Sequence, residues 1–108
     1  MSEKVSLGSK LELLAKTGSL VVGFNEVYRL LLNGKLEGVI YVSNLPQRFL
    51  RRIRNAVELS KTPAIVYEGS RVALGKALNL KYPAAVIGIV NQGESGILED
   101  IRQNVKQG

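Results

Sequence analysis

Val39-Ile40-Tyr41-Val42, running directly into Ser43-Asn44-Leu45-Pro46, is the stretch whose reading decides the fold. Three of its first four residues are β-branched, and such side chains favour a pleated strand. Ser43-Asn44 ends the run. Pro46 then stands where a helix begins, a position at which its missing N–H costs nothing. Leu50, Ile53 and Val57 follow at helical spacing, with Arg48, Arg51, Arg52 and Arg54 on the faces left for solvent. A strand, a turn and a helix thus follow one another, and the rest of the chain repeats that grammar.

Towards the amino end, Leu20-Val21-Val22 is a brief apolar run opening onto Gly23, which reads as a buried strand. Asn25 is placed to cap the next helix, with Val27, Leu30 and Leu31 on its inner side and Asn33-Gly34 closing it. Before that strand, Leu7, Leu11, Leu13 and Leu14 recur at roughly helical intervals and stop at Thr17-Gly18, which predicts a short first helix. Towards the carboxyl end, Thr62-Pro63 breaks the arginine-rich helix and Ala64 to Tyr67 is a third strand. Ser70 caps a helix carrying Val72, Leu74, Ala77 and Leu78. Ala84 to Val90 is a fourth strand, and Ser95 begins a last helix with Ile97, Leu98, Ile101 and Val105 inward. Alternation of this kind places helices on both faces of a sheet, and short, continuously apolar strands fit a sheet covered on both sides. The expected fold is α/β: a three-layer α/β/α sandwich with a central mixed four-stranded sheet, as one domain over residues 1–108, without repeat, linker or low-complexity segment.

Charge points to the partner. The 108 residues carry 15 Lys and Arg against 9 Asp and Glu, a formal net charge of +6. Such a balance favours polyanions, because each phosphate neutralised releases condensed counterions. Charge alone leaves anionic lipid and plain solubility open. Cysteine and histidine are both absent. That excludes disulfides, thiolate nucleophiles, cysteine zinc sites and the commonest general base. No apolar run approaches the ~20 residues that span a bilayer, so a soluble, intracellular protein with no membrane partner is expected.

Enzyme motifs fare badly. Gly69 to Lys76 contains Gly75-Lys76, but Ala77 follows where a phosphate loop needs Ser or Thr. Gly93-Glu94-Ser95-Gly96 lacks the spacing of a nucleophile elbow and has no histidine to activate its serine; a turn and helix cap is the plainer account. The carboxylates are scattered singly. No catalytic residue, small-molecule substrate, metal or cofactor is expected.

Three loops are more informative. In Gly23-Phe24-Asn25-Glu26, with Arg29 one turn later, a helix start offers free N–H groups to a phosphate. Glu26, when ionised, only accepts hydrogen bonds, and so matches the neighbouring N1–H and N2–H donors of a guanine. An ordinary cap with a first-turn acid explains the same residues. Ser43-Asn44-Leu45-Pro46 lies at the carboxyl end of the strongest strand, where ligands gather in α/β sheets; a plain turn is the alternative. Leu80-Lys81-Tyr82-Pro83 sets apolar and aromatic surface beside a cation, a combination suited to an unstacked base, unless its leucine and tyrosine fold back onto the core. The arginines of the third helix fit either a solvated face or secondary phosphate contacts within a large RNA.

Taken together these segments resemble the kink-turn-binding ribosomal protein superfamily, the L7Ae and L30e group. The resemblance covers nearly the whole chain. Leu14-Ala15-Lys16-Thr17-Gly18 leading into Val21-Val22-Gly23, and the helix ending Asn33-Gly34-Lys35, look like the shared amino-terminal half. Val42 to Pro46, Glu58 to Pro63, Tyr67-Glu68-Gly69-Ser70 and the stretch from Ile89 to Leu98 look like the L30e branch. Asn25-Glu26 looks more like the L7Ae branch, Arg29 stands where that branch usually has lysine, and Asn91-Gln92 replaces the more typical Asp-Pro.

The resemblance implies binding to a kinked RNA internal loop with tandem sheared G·A pairs. Gly23, Asn25, Glu26 and Arg29 would contact the guanines and adjoining phosphates, and Asn44 would bond RNA from the next loop. Leu80, Lys81, Tyr82 and Pro83 would pack against an extruded nucleotide, and Lys35 is carried over as a further RNA contact. The implied protein is a non-enzymatic constituent of the large ribosomal subunit, in the cytoplasm and of archaeal type, with rRNA and neighbouring ribosomal proteins as partners. The alternatives are an L7Ae-type kink-turn protein of guide-RNA or RNA-processing particles, and a protein-interaction module that keeps the fold without RNA.

Overall fold

The computed structural model describes residues 2–93 and residue 97, with side chains from residue 10 onward. Its elements in order are α1 (Ser2–Thr17), β1 (Ser19–Val22), α2 (Phe24–Leu32), β2 (Gly38–Val42), α3 (Gln47–Ser60), β3 (Ala64–Tyr67), α4 (Arg71–Ala77) and β4 (Val86–Asn91). The last helix expected from Ser95, including Leu98, Ile101 and Val105, lies outside the described residues, as does the side chain of Leu7. Ile97 itself is helical and fully buried.

The sheet has the order β1-β4-β2-β3. β4 runs antiparallel to both β1 and β2, while β3 is parallel to β2. It is therefore mixed and four-stranded, as expected. All of β2 and the first four residues of β4 are buried. Successive strand side chains point to opposite faces, so both faces of the sheet centre are covered. α2 and α3 pack together, as do α1 and α4. Gly88 shows how tightly the α2 layer sits: a Cβ there would lie 2.8 Å from Leu36 and 3.3 Å from Val27.

Three local expectations change. The first helix is not short, since it runs for 16 residues from Ser2. β1 is only half-buried because, among the described residues, it sits at the sheet edge with β4 as its one neighbouring strand. The cap of α2 is Gly23 and not Asn25. With φ 113° and ψ 142°, Gly23 turns the chain out of β1 in a conformation that L side chains rarely adopt, and the helix begins one residue later. Elsewhere the expected punctuation holds. Ser70 Oγ accepts from the Ala73 N–H at 3.1 Å, and Pro46 is the residue from which α3 starts. Of the apolar residues expected on α4, Leu74 and Leu78 are buried, whereas Val72 is exposed.

Candidate nucleic-acid interface

The strand directions bring the three loops to one edge. Because β4 is antiparallel to its two neighbours, its beginning lies beside the ends of β1 and β2. Short backbone bonds tie the connections there. The Gly23 N–H donates to the Val86 carbonyl at 3.1 Å, Val42 to Ala85 at 3.0 Å, Ser43 to Tyr67 at 2.9 Å and Ala84 to Arg71 at 3.1 Å. A cleft of about 230 Å³ joins the three loops, with Gly23, Phe24, Leu45, Pro46, Pro83 and Ala84 among its walls.

Two helices begin at this edge without a side-chain cap. In α2 the first helical bond is from Val27 N–H to Gly23 O at 3.0 Å. The N–H groups of Phe24, Asn25 and Glu26 precede any carbonyl four residues back within the helix. α3 starts from Pro46, whose carbonyl accepts from both Phe49 and Leu50, at 3.0 and 2.9 Å. Each uncapped start is a positive dipole end. Aromatic contacts fix their spacing: Phe24 meets Phe49 edge-on at 4.9 Å and stacks with Tyr28 at 5.5 Å. The Arg48 guanidinium lies 4.9 Å from the centre of the Phe49 ring.

On this frame the site side chains stand free of the core. Asn25 and Glu26 are exposed in the first turn of α2, and Asn44 is exposed in the turn after β2. The Arg29 guanidinium donates to Oε2 of Glu26, three residues earlier. Both side chains are largely open to water, 62% for Arg29 and 50% for Glu26. An exposed pair of this kind is worth only about 0–1 kcal/mol, so a nucleotide can compete for either member. Lys81, Tyr82 and Pro83 are exposed, with Tyr82 at 54%, while Leu80 is half-buried against the core. The leucine therefore folds back and the tyrosine does not. Asn79, at φ 62°, turns the chain out of α4. The loop then lies against that helix because Gly75 has no side chain; a Cβ there would sit 2.4 Å from the Tyr82 carbonyl oxygen.

Lys35 is not brought to this edge. It follows the far end of α2, about 13 Å of helix from Gly23, where its N–H bonds the Leu30 carbonyl at 3.0 Å. Its neighbour Glu37 bonds Ile89, near the end of β4. Phe24, Phe49 and Arg71 belong to the cleft but were not singled out from the sequence. For Phe24 and Phe49 the available signal was an aromatic residue in the first turn of each of two neighbouring helices. Arg71 had the signal of following a cap directly.

Residues 6–99 match the family model described as "Ribosomal protein L7Ae/L30e/S12e/Gadd45 family". The chain belongs to this family. Within the L7Ae/L30e family it is 36% identical over 102 residues to the large ribosomal subunit protein eL30 of Sulfolobus acidocaldarius, covering 94% of this chain and 97% of that one. It is 37% identical over 93 residues to eL30 of Dictyostelium discoideum, covering 86% and 83%. With eL30 of Sulfurisphaera tokodaii the identity is 30% over 106 residues, covering 98% and 100%. These relatives are of the L30e branch, which the stretches Val42 to Pro46 and Ile89 to Leu98 resemble. The family fold is also met in a solved structure of a protein with unknown function from Bacillus halodurans C, with TM-score 0.73 and 24% identity, covering 89% of this chain and 92% of that one.

Proposed function

We propose that this chain is a structural, non-enzymatic protein of the large ribosomal subunit, of L30e type, which binds a kinked rRNA internal loop containing sheared G·A pairs. The observation that carries the reading is the meeting of Gly23, Asn25 and Glu26, the Asn44 turn, and the Lys81-Tyr82-Pro83 loop at a single edge of the sheet. That edge supplies two uncapped helix starts for phosphates. Glu26 supplies an acceptor for a guanine edge, and Tyr82 an exposed ring against which an extruded base can stack. Phosphate contacts give affinity, and base contacts give selection among RNAs. The eL30 relatives support the ribosome of the cytoplasm as the setting and rRNA with its neighbouring ribosomal proteins as the partners.

The test is a titration of a short kink-turn RNA, and of a variant whose G·A pairs are replaced by Watson–Crick pairs, at one fixed salt concentration. Tight binding that the replacement abolishes is the expected result. Equal, salt-labile binding to both would leave only unspecific charge attraction. The exposed Asn25-Glu26 pair, which looks like the L7Ae branch, favours one second reading: a kink-turn protein of guide-RNA particles. Co-sedimentation with large subunits in high salt is expected of the first role and not of the second.

A further inference from the structure

Apart from Arg48, which lies over Phe49, the outward face of α3 takes no part in the edge just described. Arg48, Arg51, Arg52 and Arg54 are all exposed on that helix. Among the described residues, none of them forms an ion pair. Arg51 and Arg54 do more than face solvent. With Gln47 and Asn55 they line a groove of about 470 Å³, in which Tyr41 and Leu50 supply the apolar wall and Glu58 is the one carboxylate.

The groove lies on the far side of α3 from the candidate guanine reader. Phe49 points at α2 through Phe24. At about 100° per residue, Arg51 and Arg54 are turned roughly 200° and 140° away from Phe49. Tyr41 belongs to β2, and its partner in the ladder is Val66 of β3, at the edge of the sheet. Val66 is 42% exposed, so α3 leaves this margin of the sheet uncovered. The result is a channel flanked by two guanidinium groups and by two amides that both donate and accept. Guanidinium groups bind phosphates in bidentate fashion, and amides bond phosphate or ribose hydroxyl groups.

We infer that the Arg51–Arg54 groove of α3 is a second RNA-binding surface, which holds the sugar–phosphate backbone of an RNA segment other than the one bound at the loop edge. The protein then clamps two RNA segments across its thickness: one is selected by base contacts, and the other is held without regard to sequence. The inference extends the proposed RNA-binding role, yet it rests on separate residues and can fail separately.

The experiment uses the full chain saturated with a short kink-turn RNA, to which a fluorescent RNA duplex without an internal loop is added. The wild-type protein should bind the duplex as a second equivalent, with an affinity that falls steeply as salt rises. Arg51→Glu together with Arg54→Glu should weaken duplex binding at least tenfold and change affinity for the kink-turn RNA less than twofold. Arg51→Lys with Arg54→Lys keeps the charge and should stay within a few-fold of wild type, which guards against a folding defect in the reversed variant. Saturated wild-type protein that ignores the duplex, or a reversed variant that binds it as well as wild type, overturns the inference. So does capture of an acidic peptide, rather than the duplex, through the same arginines. Loss of discrimination between the kink-turn RNA and its Watson–Crick variant would count against the loop edge instead, and is read in a separate titration.

Discussion

Glu26 and Arg29 sit three residues apart on α2 and hold each other in an exposed pair. The spacing that joins them is visible in the sequence, because residues three apart share a helix face; knowing that the pair forms requires knowing that α2 begins at Phe24. Glu26→Ala removes the acceptor proposed for guanine and should weaken kink-turn binding by about 1–3 kcal/mol. The variant RNA with Watson–Crick pairs should lose almost nothing, and equal losses on both RNAs would remove Glu26 from base reading. Gly23 presents the opposite case. Nothing lies within 4 Å of where its Cβ would be, but its φ of 113° is what a side chain resists. Gly23→Ala should therefore destabilise the fold by about 1–3 kcal/mol in urea unfolding, through strain rather than crowding. The sequence points to Asn25 as the cap because it has the better capping side chain, and only the backbone angles move the cap to Gly23.

Elements were legible where pattern and packing agree. β2 is apolar throughout because both of its faces are covered, and α3 shows its buried side as Ile53 and Ala56 against a wall of arginines. The full extent of α1 is hidden in the sequence, because its first residues, Ser2 to Lys4, are polar and offer no apolar period to count. Lys35 enters as an RNA contact only through the family resemblance, and a motif does not say at which end of a helix its residues come to lie. The loop after α4 depends on one glycine. Gly75→Ala would ordinarily favour a helix by about 1 kcal/mol, but its Cβ would collide with the Tyr82 carbonyl. The expected outcome is a displaced Leu80–Pro83 loop, lowered thermal stability and weaker kink-turn binding; a variant that is more stable and binds as before would show that the contact yields easily. At the start of the same helix, Ser70→Ala removes a cap bond and should cost about 1 kcal/mol.

At the scale of the molecule, charge and topology act together. A net charge of +6 favours attraction to polyanions of any kind, whereas the sheet order gathers the loops proposed to choose among them. Composition displayed the first property, and the alternation of strands and helices foretold the layers. The pairing of β4 with both β1 and β2 was not legible, because strand order depends on contacts distant in sequence. The consequence reaches the making of the chain. β4 is the last of the described strands to be synthesised, yet it occupies an interior place in the sheet, and β1 has no partner until it arrives. A nascent chain stopped after Ala85 would hold β2 and β3 as a parallel pair and β1 as a stray segment, with its apolar faces open to water. Such a fragment should lack cooperative thermal unfolding and aggregate readily. The edge that gathers the three loops thus comes into being in one late step, when residues 86–91 slot between strands made long before.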